Sequence, residues 1–231
     1  MCTKNLSKPA AVLFDLDGTL LDTAQDLGES LNHVLTELNR PVKTFEEYRP
    51  VASHGALGLL KLGLGVDFDQ FDNPAIQGLR DRLLAEYEAN ISRYTQLFEG
   101  VEACINELDS QDIPWGIVTN KPEFLTDKLI TFHPALDSSK INISGDSLPQ
   151  KKPDPTPLLH ACKRMNVNPN ACWYVGDAQR DIEAGNRANM ISMVANWGYT
   201  QDPMPVEQWQ ANYILEDANT LTQLLTQFKN T

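Results

Sequence analysis

AVLFDLDGTLLD, Ala11 to Asp22, runs four apolar residues into Asp15, Asp17 and Asp22, with Gly18 and Thr19 between. Four consecutive apolar residues predict a short strand covered on both faces. Side chains two apart in a strand share a face, so Asp15 and Asp17 can both project beyond its carboxyl end. Gly18 permits a tight turn that a Cβ would hinder. Two carboxylates so close repel each other unless a cation or a proton sits between them. In open α/β sheets the carboxyl ends of the strands are where ligands bind.

Five further stretches read as short strands: 113–119 (IPWGIVT), 140–144 (KINIS), 171–176 (ACWYVG), 191–196 (ISMVAN) and 212–217 (NYILED). Helical spacing separates them, at Val101, Cys104, Ile105 and Leu108, over 122–132, at Leu158, Leu159, Cys162 and Met165, and over 182–188. Alternating strands and helices predict a doubly wound α/β sheet. One section breaks the alternation. From Thr23 to about Tyr94 only helical patterns occur, Leu27, Leu31, Val34, Leu35 and Leu38 in one, and Ile76, Leu79, Leu83, Leu84, Tyr87 and Ile91 in another after Asn73 and Pro74. The expected organisation is a core of residues 1–22 and 95–231 with a helical cap of residues 23–94. Gly55, Gly58, Gly63 and Gly65 weaken the helical pattern in its middle.

A net charge of −12 with scattered Lys and Arg argues against nucleic acid or an anionic membrane as partner. The apolar runs are too short to cross a bilayer. Cys2, Cys104, Cys162 and Cys172 lack metal-type spacing, and no leader-like apolar stretch precedes the first strand, so a reduced cytoplasm is the expected setting. A monomer and a homodimer are both compatible with the pattern.

Other polar residues fall at equivalent strand ends. Thr119, Asn120 and Lys121 follow the second core strand, Asp177 follows the fourth, and Asp181 comes four residues later near a helix start. Four aspartates at one crevice supply the hard oxygen ligands that magnesium prefers. KKPDPTPLL adds Lys151 and Lys152 before a helix that Asp154 is expected to cap, and a lysine there would offset the charge of a bound phosphate. Carboxylates, a cation and a lysine suit a small phosphorylated metabolite as substrate.

DLDGTLLDT, VTNK, KKPDP and GDAQRD, in this order with a helical insert after the first, resemble the four-motif signature of the haloacid dehalogenase superfamily. Within it the chain looks like the phosphoglycolate phosphatase group with a helical cap. LFEGV, WGIVTNKP and KPDPTPLLHACK look closest to the N-acetylmuramic acid 6-phosphate phosphatase branch. The resemblance implies a Rossmann-like core and an aspartyl-phosphate mechanism. Asp15 would be the nucleophile and Asp17 the general acid and base. Magnesium would be held by Asp15, the backbone carbonyl of Asp17, Asp177 and Asp181. Thr119 and Lys152 would grip phosphoryl oxygens, with Asn120 as a further donor. Arg49 and His54, in RPVASHGALGLLK, are candidates for substrate contact from the cap. Plainer readings stand beside these: Asp177 and Asp181 as a helix cap and a first-turn charge, Thr119 and Asn120 as a turn, Lys151, Arg49 and His54 as surface residues. A β-phosphoglucomutase-type sugar phosphomutase shares the motifs, and a non-catalytic phosphate-binding module would keep the scaffold.

Overall fold

The computed structural model describes residues 6–65, 73–201 and 204–229. Six strands form one parallel sheet: β1 (Ala11–Phe14), β4 (Trp115–Val118), β5 (Asn142–Ile143), β6 (Cys172–Gly176), β7 (Ile191–Ala195) and β8 (Tyr213–Leu215), in the order β5-β4-β1-β6-β7-β8. The chain winds outward from β1 in both directions, so the crevice between β1 and its neighbours opens at their carboxyl ends.

The unbroken apolar runs follow from the layers. Val12 and Phe14 face the cluster formed by α5 (Val101–Ser110) and α9 (Ala218–Thr226). Ala11 and Leu13 face α7 (Thr156–Met165) and α8 (Gln179–Arg187) through Leu158, Ala161, Cys162 and Ala184. Both faces of β1 are covered, and each buried Val, Leu or Phe side chain contributes roughly 1.5–3 kcal/mol. The 140–144 stretch yields only a two-residue strand. β5 lies at the sheet edge, and Asn142 is exposed there.

Two short strands, β2 (Leu21–Asp22) and β3 (Gln96–Leu97), pair antiparallel where the chain leaves the sheet and returns to it. Between them lie α1 (Ala24–Glu37), α2 (Phe45–Tyr48), a 3-10 turn at Arg49–His54, α3 (Gly55–Leu64) and α4 (Pro74–Ala89). The glycine-punctuated segment is helical after all: Leu59 and Leu60 are buried, and the helix stops at Gly65, whose φ of 67° is left-handed. Asp26 of α1 ties the exit to the return. Its carboxylate accepts from the Tyr94 N–H at 3.0 Å, the Thr95 N–H at 2.9 Å and the Thr95 hydroxyl at 2.6 Å. No helix among the described residues is long and apolar enough to cross a membrane.

Candidate active site

Asp15 follows β1, Thr119 follows β4 and Asp177 follows β6, so three adjacent strand ends converge. Asp15 is buried, and its Oδ1 accepts from the Leu16 N–H at 2.8 Å and from Lys152 Nζ at 2.9 Å. Lys152 Nζ also meets Asp181 Oδ1 at 2.8 Å and donates to the Tyr174 hydroxyl at 2.8 Å. That hydroxyl in turn donates to the Val118 carbonyl at 3.0 Å. Asn120 clamps the backbone of Lys152 at two points: Oδ1 accepts from its N–H at 3.0 Å, and Nδ2 donates to its carbonyl at 2.9 Å. The Asn120 side chain thus holds the lysine loop, and the residue also borders the cavity above Asp15 and Asp17, with one amide N–H beyond the bond to the Lys152 carbonyl. Asp154 accepts from the Thr156 N–H at 2.8 Å, although the capping position itself is Pro155.

Asp177 Oδ2 accepts from the Ser53 hydroxyl at 2.6 Å and the Tyr199 N–H at 3.0 Å, and Oδ1 from the Thr19 hydroxyl at 3.2 Å. Asp181 stands in the first turn of α8, where Oδ2 accepts from the Ala178 N–H at 3.0 Å. The DGT turn packs tightly on these groups. Gly18 has φ 82°, and a Cβ there would lie 2.1 Å from Asp177 Oδ2. Only glycine meets both demands.

Asp15, Asp177 and Asp181 offer oxygens that all lie within 4.8 Å of one another, and all three are buried. Burial pushes the Asp177 carboxyl up to about 7, reinforced by Asp15 and Asp181 and opposed by the Ser53 hydrogen bond and Arg180. Burial also raises Asp15, with Asp181 adding to it, against the pull of Lys152 and Arg180. Asp181 is held below the usual carboxylate range, since Lys152 and Arg180 outweigh its burial. An all-oxygen set with excess negative charge fits a hard divalent cation. The carboxylate of Asp17 is outside this triad.

Asp17 sits at the rim. Its Oδ1 accepts from the Thr23 hydroxyl at 2.6 Å and from Lys121 Nζ at 3.0 Å. Lys121 is buried and also donates to the Tyr87 hydroxyl at 3.0 Å. Burial would lower its pKa, but Asp17 and Tyr87 more than compensate and hold the ammonium above its usual range.

A cavity of about 370 Å³ opens above Asp15 and Asp17. Thr119, Lys121 and Arg180 reach it from the sheet side, Ser53, His54 and Arg80 from the helices, and Lys151 from the KKPDP loop. Two expected contacts fall outside its lining. Lys152 is sealed beneath Asp15, with a side chain 0% exposed. Arg49 lies over the Tyr199 ring at 5.0 Å and 3.6 Å from Asp22 Oδ2, so it pins helical segment to core instead of facing the cavity. Tyr199 packs there too, its hydroxyl accepting from the Thr23 and Ala24 N–H groups and donating to Asp22.

Lys121, at the strand end where the sequence places it, joins the site as the partner of Asp17, and Ser53, of the RPVASHGALGLLK segment, joins it as a partner of Asp177; Arg180 is the site residue to which the motif reading gives no role. Arg180 does leave a trace in the sequence: a cation in the first turn opposes the helix dipole, so something else holds it there.

The sequence model of the haloacid dehalogenase-like hydrolases matches residues 12–195. A phosphoglycolate phosphatase of Xylella fastidiosa strain Temecula1 is 41% identical over 215 residues, covering 93% of this chain and 92% of the relative. An N-acetylmuramic acid 6-phosphate phosphatase of Pseudomonas putida is 31% identical, covering 93% and 95%. Among solved structures, a predicted phosphoglycolate phosphatase from Haemophilus somnus 129PT superposes with a TM-score of 0.82 at 24% identity, covering 96% of this chain and 99% of the other.

Proposed function

The chain belongs to the haloacid dehalogenase-like hydrolases, as a phosphoric monoester hydrolase among them; we propose that its substrate is a small phosphomonoester that also carries a carboxylate, and that magnesium is its cation. The observation that carries the chemistry is the pairing of two unlike carboxylates, Asp15 on the buried triad and Asp17 at the cavity rim. Asp15 Oδ1 is taken by Leu16 and Lys152, which leaves Oδ2 to attack phosphorus. The phosphorus–oxygen bond to the leaving group breaks, and Asp17 delivers a proton to the departing alkoxide. Asp17 then takes a proton from water as that water attacks the acyl phosphate, which releases orthophosphate and restores Asp15.

Magnesium held by Asp15, Asp177 and Asp181, with the Asp17 carbonyl as a further ligand, would offset the repulsion between an anionic nucleophile and an anionic phosphoryl group. Thr119 contributes a hydroxyl donor toward phosphoryl oxygens. Lys152 acts from below, holding Asp15 and Asp181 in place, and Asn120 holds Lys152. Lys121 holds Asp17.

Arg80 and Lys151 support the second acidic group. Arg80 stands 3.3 Å from Asp81, and both cations border the cavity on the side where it meets a neighbouring groove lined by Glu88, Phe124 and Asp146. 2-Phosphoglycolate and N-acetylmuramic acid 6-phosphate, the substrates in the relatives' names, both combine a phosphomonoester with a carboxylate. Cys104, Cys162 and Cys172 are free buried thiols, in keeping with a cytoplasmic setting.

The test is orthophosphate release from these two compounds, hexose phosphates and nucleotides, each with magnesium and with EDTA. Magnesium-dependent release confined to acidic phosphomonoesters is expected. Equal rates on neutral sugar phosphates would overturn the carboxylate reading, and isomerisation of a hexose phosphate without release would make the enzyme a mutase.

A further inference from the structure

We infer that Arg180 is a catalytic residue, whose guanidinium grips a non-bridging oxygen of the phosphoryl group while Asp15 attacks. The inference rests on the phosphatase reading and adds a contact that the motif pattern does not assign.

Four observations carry it. Arg180 lines the cavity, whereas Lys152, the cation that the motifs would place on the phosphoryl group, is sealed under Asp15 and outside the lining. Arg180 Nη2 lies 3.9 Å from Asp15 Oδ2, the oxygen left free for attack. That gap exceeds a charge-assisted hydrogen bond, about 2.7–2.9 Å, so the guanidinium is beside the nucleophile without being consumed by it. Arg180 Nε is buried and has no hydrogen-bond partner, a donor whose desolvation is compensated once an anion arrives. Finally, the side chain stands in the first turn of α8 against the helix dipole, held by the field of Asp15, Asp177 and Asp181. A planar fork with five N–H donors matches phosphoryl oxygens better than a lysine does.

The alternative is that Arg180 only balances the charge of the three aspartates. Arg180→Ala separates the two, with p-nitrophenyl phosphate and the best substrate of the panel, in saturating magnesium. If the guanidinium touches the phosphoryl group, kcat/KM falls roughly 10²–10³-fold, inhibition by orthovanadate weakens in parallel, and added guanidinium ion restores part of the rate. Arg180→Lys, which keeps the charge and serves as the second variant if alanine fails to fold, should retain only part of the activity. A loss under threefold in Arg180→Ala overturns the proposal. So does a larger loss with vanadate inhibition unchanged and no rescue by guanidinium.

If the wild-type enzyme releases phosphate from nothing tested, the phosphatase reading has failed on its own. Calorimetric binding of orthophosphate with magnesium then decides the arginine: at least tenfold weaker binding by the variant supports the contact, and equal binding refutes it.

Discussion

Asp15 and Asp17 stand two residues apart on one strand end, yet their surroundings share almost nothing. Asp15 lies on the floor among Asp177, Asp181, Lys152 and Arg180, all from the sheet and its following loops and helices. Asp17 lies at the rim, where Thr23 at the entry to α1 and Lys121, itself held by Tyr87 of α4, converge on it. The floor fixes Asp15 through Lys152 and the Leu16 N–H and crowds it against two further buried carboxylates, a set of charges that a bound cation would balance. The rim joins the sheet to the helical segment, so the group proposed to move protons is set by how those two parts meet. Identical residue types thus acquire different tasks through their neighbours.

The largest effect expected is from Asp15→Asn, which removes the nucleophile. Turnover should fall at least about 10⁴-fold with an unchanged circular dichroism spectrum, and normal activity would dissolve the distinction between floor and rim. Asp17→Asn should lower kcat on alkyl phosphates by roughly 10²–10⁴-fold, the usual worth of general acid–base catalysis.

Exchanging the two lysines for methionine sharpens the contrast in stability. Lys152→Met leaves Asp15 and Asp181 buried without their shared cation, and a loss of about 3–5 kcal/mol is expected from urea unfolding in EDTA. Lys121→Met should cost less, because Asp17 reaches solvent, and should show instead as reduced kcat. Equal destabilisation by both would mean that the rim is as buried in effect as the floor.

Asp26→Ala removes three hydrogen bonds at the exit and return of the helical segment, and a destabilisation of about 1–3 kcal/mol is expected. The smallest effect belongs to Arg49→Ala. It lies outside the cavity, so KM should stay within about twofold of wild type; a tenfold rise would return it to the substrate site.

Much of this layout can be read from sequence because chain order fixes it. A strand that is apolar throughout must be covered on both faces, and the residue after it must stand at the crevice; Asp15, Thr119 and Asp177 are placed by that logic. The two-residue strands β2 and β3 are too short for any periodicity to show. α3 hides behind its glycines and is stabilised by tertiary burial of Leu59 and Leu60. α9 follows the expected 212–217 strand, with Asp217 accepting from the Thr220 N–H as its cap. Side-chain direction is the least legible layer. Lys152 turns under the floor, Arg180 turns into the cavity and Arg49 turns onto Tyr199, and each choice depends on partners distant in the chain.

One measurement addresses the division of labour directly. p-Nitrophenolate needs little help to leave, so Asp17→Asn should still be phosphorylated by p-nitrophenyl phosphate while lacking the base that activates water. With magnesium, rapid mixing should give a burst of about one p-nitrophenolate per enzyme, followed by slow turnover. Acid quenching and peptide mass spectrometry should then find the phosphoryl group on Asp15. Steady release at the wild-type rate, or a phosphoryl group on another residue, would contradict the assignment of the two carboxylates.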